Sequence, residues 1–72
     1  MTSAELTRHI KLSTGKSFLS FGEIVKLGFG KDTVRDLVRN LDYVTTGTER
    51  RNKKYFVWDV SRAIMDRRML HD

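Results

Sequence analysis

Two groups of side chains in this sequence have the types and spacing needed to recognise a polyanion. The first group lies on one predicted helix and comprises Lys31, Asp32, Thr33, Arg35, Asp36 and Arg39. The second lies in a predicted hairpin and comprises Arg50, Arg51, Asn52, Lys53 and Lys54, with four cations within five residues. Arginine can donate two hydrogen bonds to O6 and N7 of guanine, and clustered cations neutralise phosphates. Both groups therefore point to nucleic acid.

The elements that must position these groups are two short helices followed at once by a hairpin. Ser20 and Glu23 have capping-box spacing and predict a helix over 21–27, ended by the turn Gly28-Phe29-Gly30. A second helix is predicted over 31–41. Its apolar positions are three and four apart, so they form one buried stripe and leave the charged residues on the opposite face. The stripe residues are Val34, Leu37, Val38 and Leu41.

The remaining segments predict further elements on both sides. Thr2 or Ser3 can cap an N-terminal helix, and Glu5 has capping-box spacing after Thr2. Gly15 ends this helix, and 16–19 is a short link that could pair with the hairpin. Enrichment in β-forming residues predicts strands at 43–46 and 54–58, joined by a polar loop over 47–53. Asp59 is the predicted cap of a closing helix whose inward positions are Val60, Ala63 and Ile64.

These elements predict one α+β domain over 1–72, a small winged helix-turn-helix. It would have three to four helices and a two- or three-stranded antiparallel β-hairpin wing. Its parts are an extra N-terminal helix at 1–15, the helix-turn-helix at 20–41, the wing at 43–58 and the closing helix at 59–68. A helix-turn-helix places one helix in the major groove of DNA, and a basic hairpin beside it can reach a neighbouring groove or phosphate.

Composition narrows the function further. The chain has 72 residues, a net charge of +5, no cysteine and two histidines near its opposite ends. This argues against a disulfide framework, a thiolate metal site or a histidine metal site, and no metal or other cofactor is expected. No Ser-His-acid grouping or complete phosphate-binding loop is present, so the chain is not expected to be an enzyme. No apolar run has the length of a membrane span or a signal peptide, which predicts a soluble intracellular protein that does not bind membranes.

Each candidate group has a simpler structural explanation. Arg35 and Arg39, with Asp32 and Asp36, could form a solvent-facing helix surface of i,i+4 ion pairs instead of reading bases. The cations of the hairpin could protect the sheet edge from association with another sheet, and Asn52 could simply turn the chain. The position of the helix after a glycine-containing turn and before a basic hairpin favours DNA for the helix. Four cations against the single Glu49 exceed what protection of the edge needs, which favours DNA for the hairpin.

Thr33, Phe29 and Trp58 also have two possible roles. Thr33, at the start of the second helix, could meet a phosphate through its hydroxyl or could serve a local role in starting the helix. Phe29, in the turn, and Trp58 are expected to be core residues and not platforms on which bases stack.

The motif Leu27-Gly-Phe-Gly-Lys-Asp-Thr-Val-Arg35, followed by the hairpin and Phe56-Val-Trp-Asp-Val60, resembles a known family. It is similar to the MerR-like winged helix-turn-helix of phage and transposon excisionases and related small regulators, over about residues 20–66. The resemblance implies a recognition helix with Lys31, Asp32, Thr33, Arg35 and Arg39, and a wing with Arg50, Arg51 and Lys53. The extra N-terminal helix, Gly30 as cap and the large Phe29 depart from the family pattern.

The resemblance also implies a role. Excisionases, or recombination directionality factors, bend double-stranded DNA and recruit an integrase, and they bind neighbouring sites through protein–protein contacts. That role implies a cytoplasmic, nucleoid-associated protein of a bacterial or phage-infected cell. A small MerR-like transcriptional regulator would use the same surfaces, and a protein-interaction module with a basic wing is an alternative of a different class.

Overall fold

The first helix owes its boundaries to local hydrogen bonds. The computed structural model describes residues 1–45 and 52–67. In it, α1 spans Ser3–Thr14. The Thr2 hydroxyl accepts from the Glu5 amide at 3.1 Å, and the Glu5 carboxylate accepts from the Thr2 amide at 3.2 Å. Gly15 ends the helix in the left-handed region at φ 70°, where a residue without Cβ is not strained. The predicted capping box and terminator are both confirmed.

The next two helices are shorter than predicted. α2 spans Phe21–Val25, with the predicted capping box between Ser20 and Glu23, and α3 spans Lys31–Val38. Between them Gly28 has φ 116°, a backbone conformation that residues other than glycine rarely adopt. Gly30 is the N-cap of α3 and supplies no side-chain hydrogen bond. Phe29 packs against the core, as predicted.

A small antiparallel sheet joins the two halves of the chain. β1 is Phe18–Ser20, β2 is Val44–Thr45 and β3 is Lys53–Phe56, in the order β1-β3-β2. β1 pairs with β3 in antiparallel register. The link before α2 therefore does pair with the hairpin, and it makes β3 the central strand. The predicted strand residue Thr46 lies outside the described residues.

The last helix corrects the predicted boundary. α4 spans Val57–Asp66, so Val57 and Trp58 are helical and do not extend the strand, and Asp59 lies in the first turn instead of capping it. The chain passes from β3 into α4 without a loop. The Val57 amide donates to the Ser17 carbonyl at 2.9 Å, so the first residue of the helix continues the hydrogen bonding of the strand. Position 68, the predicted end, lies outside the described residues.

The start of α4 at Val57 also explains why the prediction for Trp58 was wrong. The buried residues of α4 follow helical spacing and are Val57, Val60, Ser61 and Ile64. Trp58 follows Val57 by one residue, so it turns away from that stripe, and it is 37% exposed. The inward positions predicted for Val60 and Ile64 are confirmed, and Ala63 is partly buried.

The core lies between the four helices and the inner face of the sheet, which α2 and α4 contact directly. Its buried apolar residues are Leu6, Ile10, Leu19, Ile24, Val34, Leu37, Val38, Tyr55, Val57, Val60 and Ile64. Over residues 1–45 and 52–67 the protein is thus a small α+β domain of four helices and a three-stranded antiparallel sheet. Within those residues, no helix is both long and apolar enough to cross a membrane.

Candidate nucleic-acid interface

Helix α3 divides sharply into a core face and an outer face. Val34, Leu37 and Val38 are 0%, 2% and 8% exposed, so the helix is fixed to the core along one stripe. The predicted contact residues all lie on the outer side. Lys31, Asp32, Thr33, Arg35 and Arg39 are exposed, and Asp36 is half-buried. The fold therefore brings the six predicted residues of this helix to one surface.

The two arginines of that surface each have an acidic neighbour. Arg35 Nη1 lies 3.2 Å from Asp32 Oδ1, and Arg39 Nη1 lies 3.5 Å from Asp36 Oδ1. These pairs resemble the solvent-facing alternative, although their spacing is i,i+3 instead of i,i+4. The side chains of Arg35 and Arg39 nevertheless remain 67% and 68% exposed. Exposed pairs contribute at most about 1 kcal/mol, so either guanidinium can exchange its carboxylate for another acceptor at little cost.

Asp36 has a second partner that anchors α3 to the end of α4. Arg67 donates from Nη1 to the Asp36 carboxylate and from Nη2 to the Asp36 carbonyl oxygen, the latter at 3.0 Å. The Arg67 hydrogen bond lowers the pKa of the Asp36 carboxyl, and the positive charges of Arg67 and Arg39 act in the same direction. Sequence reasoning missed Arg67 because the two residues are 31 positions apart. Asp36 thus holds the helix as well as facing Arg39.

The described cations of the predicted wing differ in their environment. Lys53 and Asn52 are exposed, and Lys53 Nζ lies 4.7 Å from the centre of the Tyr43 ring. Lys54 is only 30% exposed, and its Nζ lies 3.5 Å from Glu23 Oε1. Arg50 and Arg51, the other predicted wing cations, lie outside the described residues. Within the described part of the hairpin, Lys53 is therefore better placed than Lys54 to meet a ligand.

Glu23 is the centre of a small charge network that joins β1, α2 and β3. Its carboxylate accepts from the Ser20 amide at 3.0 Å, and it forms ion pairs with Lys16 and Lys54. The hydrogen bond from Lys16, followed by that from the Ser20 backbone, lowers the pKa of Glu23 from 4.5 to about 2. Because both strands contribute a partner, this network fixes α2, and with it α3, against the sheet.

The lowered pKa of Glu23 predicts a pH-dependent contribution to folding. The contribution of Glu23 to the free energy of unfolding should be complete at pH values above its ordinary pKa of 4.5. It should be lost as the pH falls towards its folded-state pKa of about 2. Glu23→Gln retains a capping-box acceptor but has no charge. Urea unfolding should therefore show wild type to be more stable than Glu23→Gln at neutral pH, with the difference disappearing in acid. A difference that does not change with pH would show that the ion pairs contribute nothing.

A metal site receives no support from the described part of the chain. Across residues 1–45 and 52–67, no three or more His, Asp or Glu side chains are grouped so that they could hold a metal ion.

Comparison of the chain with known proteins finds no matching family model, no matching curated protein and no matching solved structure.

Proposed function

We propose that this protein is a winged helix-turn-helix that binds double-stranded DNA sequence-specifically. In this proposal α3 enters the major groove, and the hairpin between β2 and β3 is the wing, which contacts the adjacent backbone or minor groove. The observation that carries the proposal is the outer face of α3. It presents two arginines that are 67% and 68% exposed on a helix whose other face is buried in the core.

The dimensions of α3 support this placement. A helix with its side chains is about 10–12 Å in diameter, and the major groove is about 12 Å wide, so α3 can lie in it. Arg35 and Arg39 are one turn apart, which separates them by about 6 Å along the helix. Successive base pairs are about 3.4 Å apart, so two such arginines can reach guanines roughly two steps from one another.

The surroundings of α3 supply contacts of a different kind. Lys31 and Thr33 lie in its first turn, where side chains and free backbone amides commonly bind phosphate. Lys53 adds an exposed cation on the hairpin, and Arg50 and Arg51 remain predicted wing contacts. Phosphate contacts fix the orientation of the protein, whereas base contacts specify the sequence. Lys31, Thr33 and the hairpin are thus assigned to affinity, and Arg35 and Arg39 to specificity.

For the biological role we infer an excisionase, or recombination directionality factor, that bends DNA and assists an integrase. This role rests on the family resemblance of the turn, the start of α3 and the segment from Phe56 to Val60. Cooperative self-association on adjacent sites belongs to the same inference. A small MerR-like transcriptional regulator is the alternative, because it needs the same groove contacts. An integrase gene beside the coding sequence would favour excision, and a divergently transcribed operon would favour regulation.

Selection from a library of short random duplexes at about 150 mM salt tests the proposed DNA binding, since this salt concentration suppresses purely electrostatic association. We expect enrichment of a defined sequence, confirmed by fluorescence anisotropy against a scrambled duplex of the same composition. Weak binding that is equal for all duplexes and disappears with added salt would overturn the proposal. In that case the protein-interaction module would be the better explanation.

The two lysines of the hairpin should differ in their effect on the salt dependence of binding. If Lys53 contacts one phosphate, Lys53→Gln should reduce the slope of log affinity against log salt by about 0.9. Lys54→Gln removes the same charge but should reduce the slope less, because Lys54 is paired with Glu23 in the folded protein. Anisotropy titrations of both variants over a range of salt concentrations measure this difference. An unchanged slope in Lys53→Gln would show that the hairpin was assigned wrongly.

A further inference from the structure

A small cavity on the outer face of the sheet combines aromatic walls with two carboxylates. It has a volume of about 110 Å³. The space is open to solvent, so one long side chain can enter it. Asp42 and Asp59 contribute the carboxylates. The apolar walls are formed by Phe18, Tyr43, Val44 and Phe56. We call these six residues the aromatic–acidic pocket.

The walls of the pocket are apolar groups that the fold leaves in solvent. Tyr43 is 51% exposed and Val44 47%, although both are side chains that are commonly buried. Phe18 and Phe56 are opposite residues in the β1–β3 register, and their ring centres are 5.4 Å apart. Because the sheet fixes this pair, the walls are already in place before any ligand binds. Rings held in place in this way are available to stack with a ligand.

The pocket places two carboxylates close together in a chain whose net charge is +5. Among the described residues, neither Asp42 nor Asp59 takes part in an ion pair. Lys54 also borders the cavity, but its ammonium group is directed to Glu23 at 3.5 Å. The Asp59 side chain further borders a neighbouring cavity that Asp66 also lines. Arg62 also lines that neighbouring cavity. Within the pocket itself the two carboxylates outnumber the ammonium group of Lys54, which favours a cation over phosphate.

We propose that the aromatic–acidic pocket binds an arginine side chain from a basic segment of a partner protein. The guanidinium stacks on the rings of Phe18 or Phe56 and donates hydrogen bonds to Asp42 and Asp59. The aliphatic part of the same side chain covers Val44. Arginine fits better than lysine because its planar group can stack and donate to a carboxylate at the same time. This inference goes beyond the proposed DNA binding and does not depend on it.

The first test is a titration of the ¹⁵N-labelled full chain with a blocked pentapeptide that alternates leucine and arginine. The matched control peptide carries citrulline, which has nearly the same shape and no charge, in place of arginine. We expect saturating amide shifts at residues 42–44 and 56–59, with the citrulline peptide binding about three- to tenfold more weakly. Equal affinity for the two peptides, or shifts confined to other surfaces, would overturn the proposal.

Single substitutions distinguish the contribution of the carboxylates to peptide binding from the contribution of the rings. Asp42→Asn and Asp59→Asn should each weaken binding of the arginine peptide about threefold or more, and Phe56→Leu should weaken it while keeping an apolar wall. Asp32→Asn is the control, because it removes the same charge from a carboxylate that is 99% exposed and does not line the pocket. A loss of affinity as large in Asp32→Asn would indicate only a general charge effect, and would contradict the proposal.

Two other occupants are distinguished by the same labelled protein. Single-stranded oligothymidylate that shifts the pocket amides and competes with the peptide would assign the rings to base stacking. Concentration-dependent dimerisation that Asp42→Asn abolishes would assign the pocket to a second copy of the chain. Either result would overturn the proposal. None of these measurements uses duplex DNA. A negative result would therefore overturn the arginine pocket without bearing on the proposed DNA binding.

Discussion

Replacement of Arg35 or Arg39 by alanine is expected to weaken binding to the selected duplex by about 1–3 kcal/mol, or roughly 5- to 150-fold. The physical reason is the loss of two parallel hydrogen bonds to a guanine edge, which no neighbouring side chain can replace. The pairs with Asp32 and Asp36 are exposed, so their loss should change the free energy of unfolding by only a few tenths of a kcal/mol. Fluorescence anisotropy with the selected and scrambled duplexes measures the effect.

A modified duplex provides the control for this prediction. Replacing one guanine of the selected site by 7-deazaguanine removes the N7 acceptor and leaves the base pair intact. Wild type should lose affinity on the modified duplex, whereas the variant that lacks the arginine contacting that guanine should lose little more. Affinity that falls equally on selected and scrambled duplexes in Arg35→Ala and Arg39→Ala would show that both arginines contact phosphate and do not read bases.

Leu37→Ala should have the largest effect on stability among substitutions in α3. Leu37 is 2% exposed and fixes the helix to the core, and truncation of such a leucine costs about 2–5 kcal/mol. A domain of this size has roughly 5 kcal/mol of stability to lose, so a substantial fraction of the variant should be unfolded at 25 °C. Urea unfolding followed by circular dichroism measures the difference from wild type.

The matched control for Leu37→Ala is Leu12→Ala, which makes the same chemical change on an outer face. Leu12 lies in α1 and is 78% exposed, so its truncation should change the free energy of unfolding by less than about 0.5 kcal/mol. Similar losses in the two variants would mean that α3 is not held by its apolar stripe. The outer face of α3 would then lack the rigid support that the proposed base reading needs.

Local signals in the sequence are sufficient to predict most of the helices. Both capping boxes form, Gly15 ends α1, and Val34, Leu37 and Val38 are buried together, because each of these features depends on neighbours within one or two helical turns. The exposure of the predicted contact residues of α3 follows from the same periodicity. The ends of α2 and α3 are predicted two and three residues too late, since fraying and capping compete at the end of a helix.

The boundary between β3 and α4 shows where local signals fail. Val57 and Trp58 are strong β-formers, and Asp59 is a good capping residue, so the sequence favours a strand up to position 58. In the fold, Val57 completes the contact of β3 with Ser17 and already begins a helix that packs on α1. Tertiary packing thus overrides the strand propensity. This shift moves Trp58 to the surface and Asp59 to the edge of the aromatic–acidic pocket.

The charge network of the candidate site could not be predicted for a different reason. Arg67 pairs with Asp36, and Lys54 pairs with Glu23, in both cases across 31 positions of sequence. Such contacts depend on how whole elements pack, and no local pattern indicates them. Lys54 was therefore grouped with the other cations of the hairpin. The structure separates it from Lys53 by placing its charge against Glu23.

The most direct measurement of the central claim is an amide-shift map of the ¹⁵N-labelled protein bound to the selected duplex. The claim requires the largest shifts at the outer positions of α3, from Lys31 to Arg39, and at Lys53 in the hairpin. It also requires small shifts at Asp42 and Asp59, which lie on a surface that disfavours phosphate. Large shifts on α1 or in the aromatic–acidic pocket, with α3 unaffected, would contradict the proposal that α3 reads DNA.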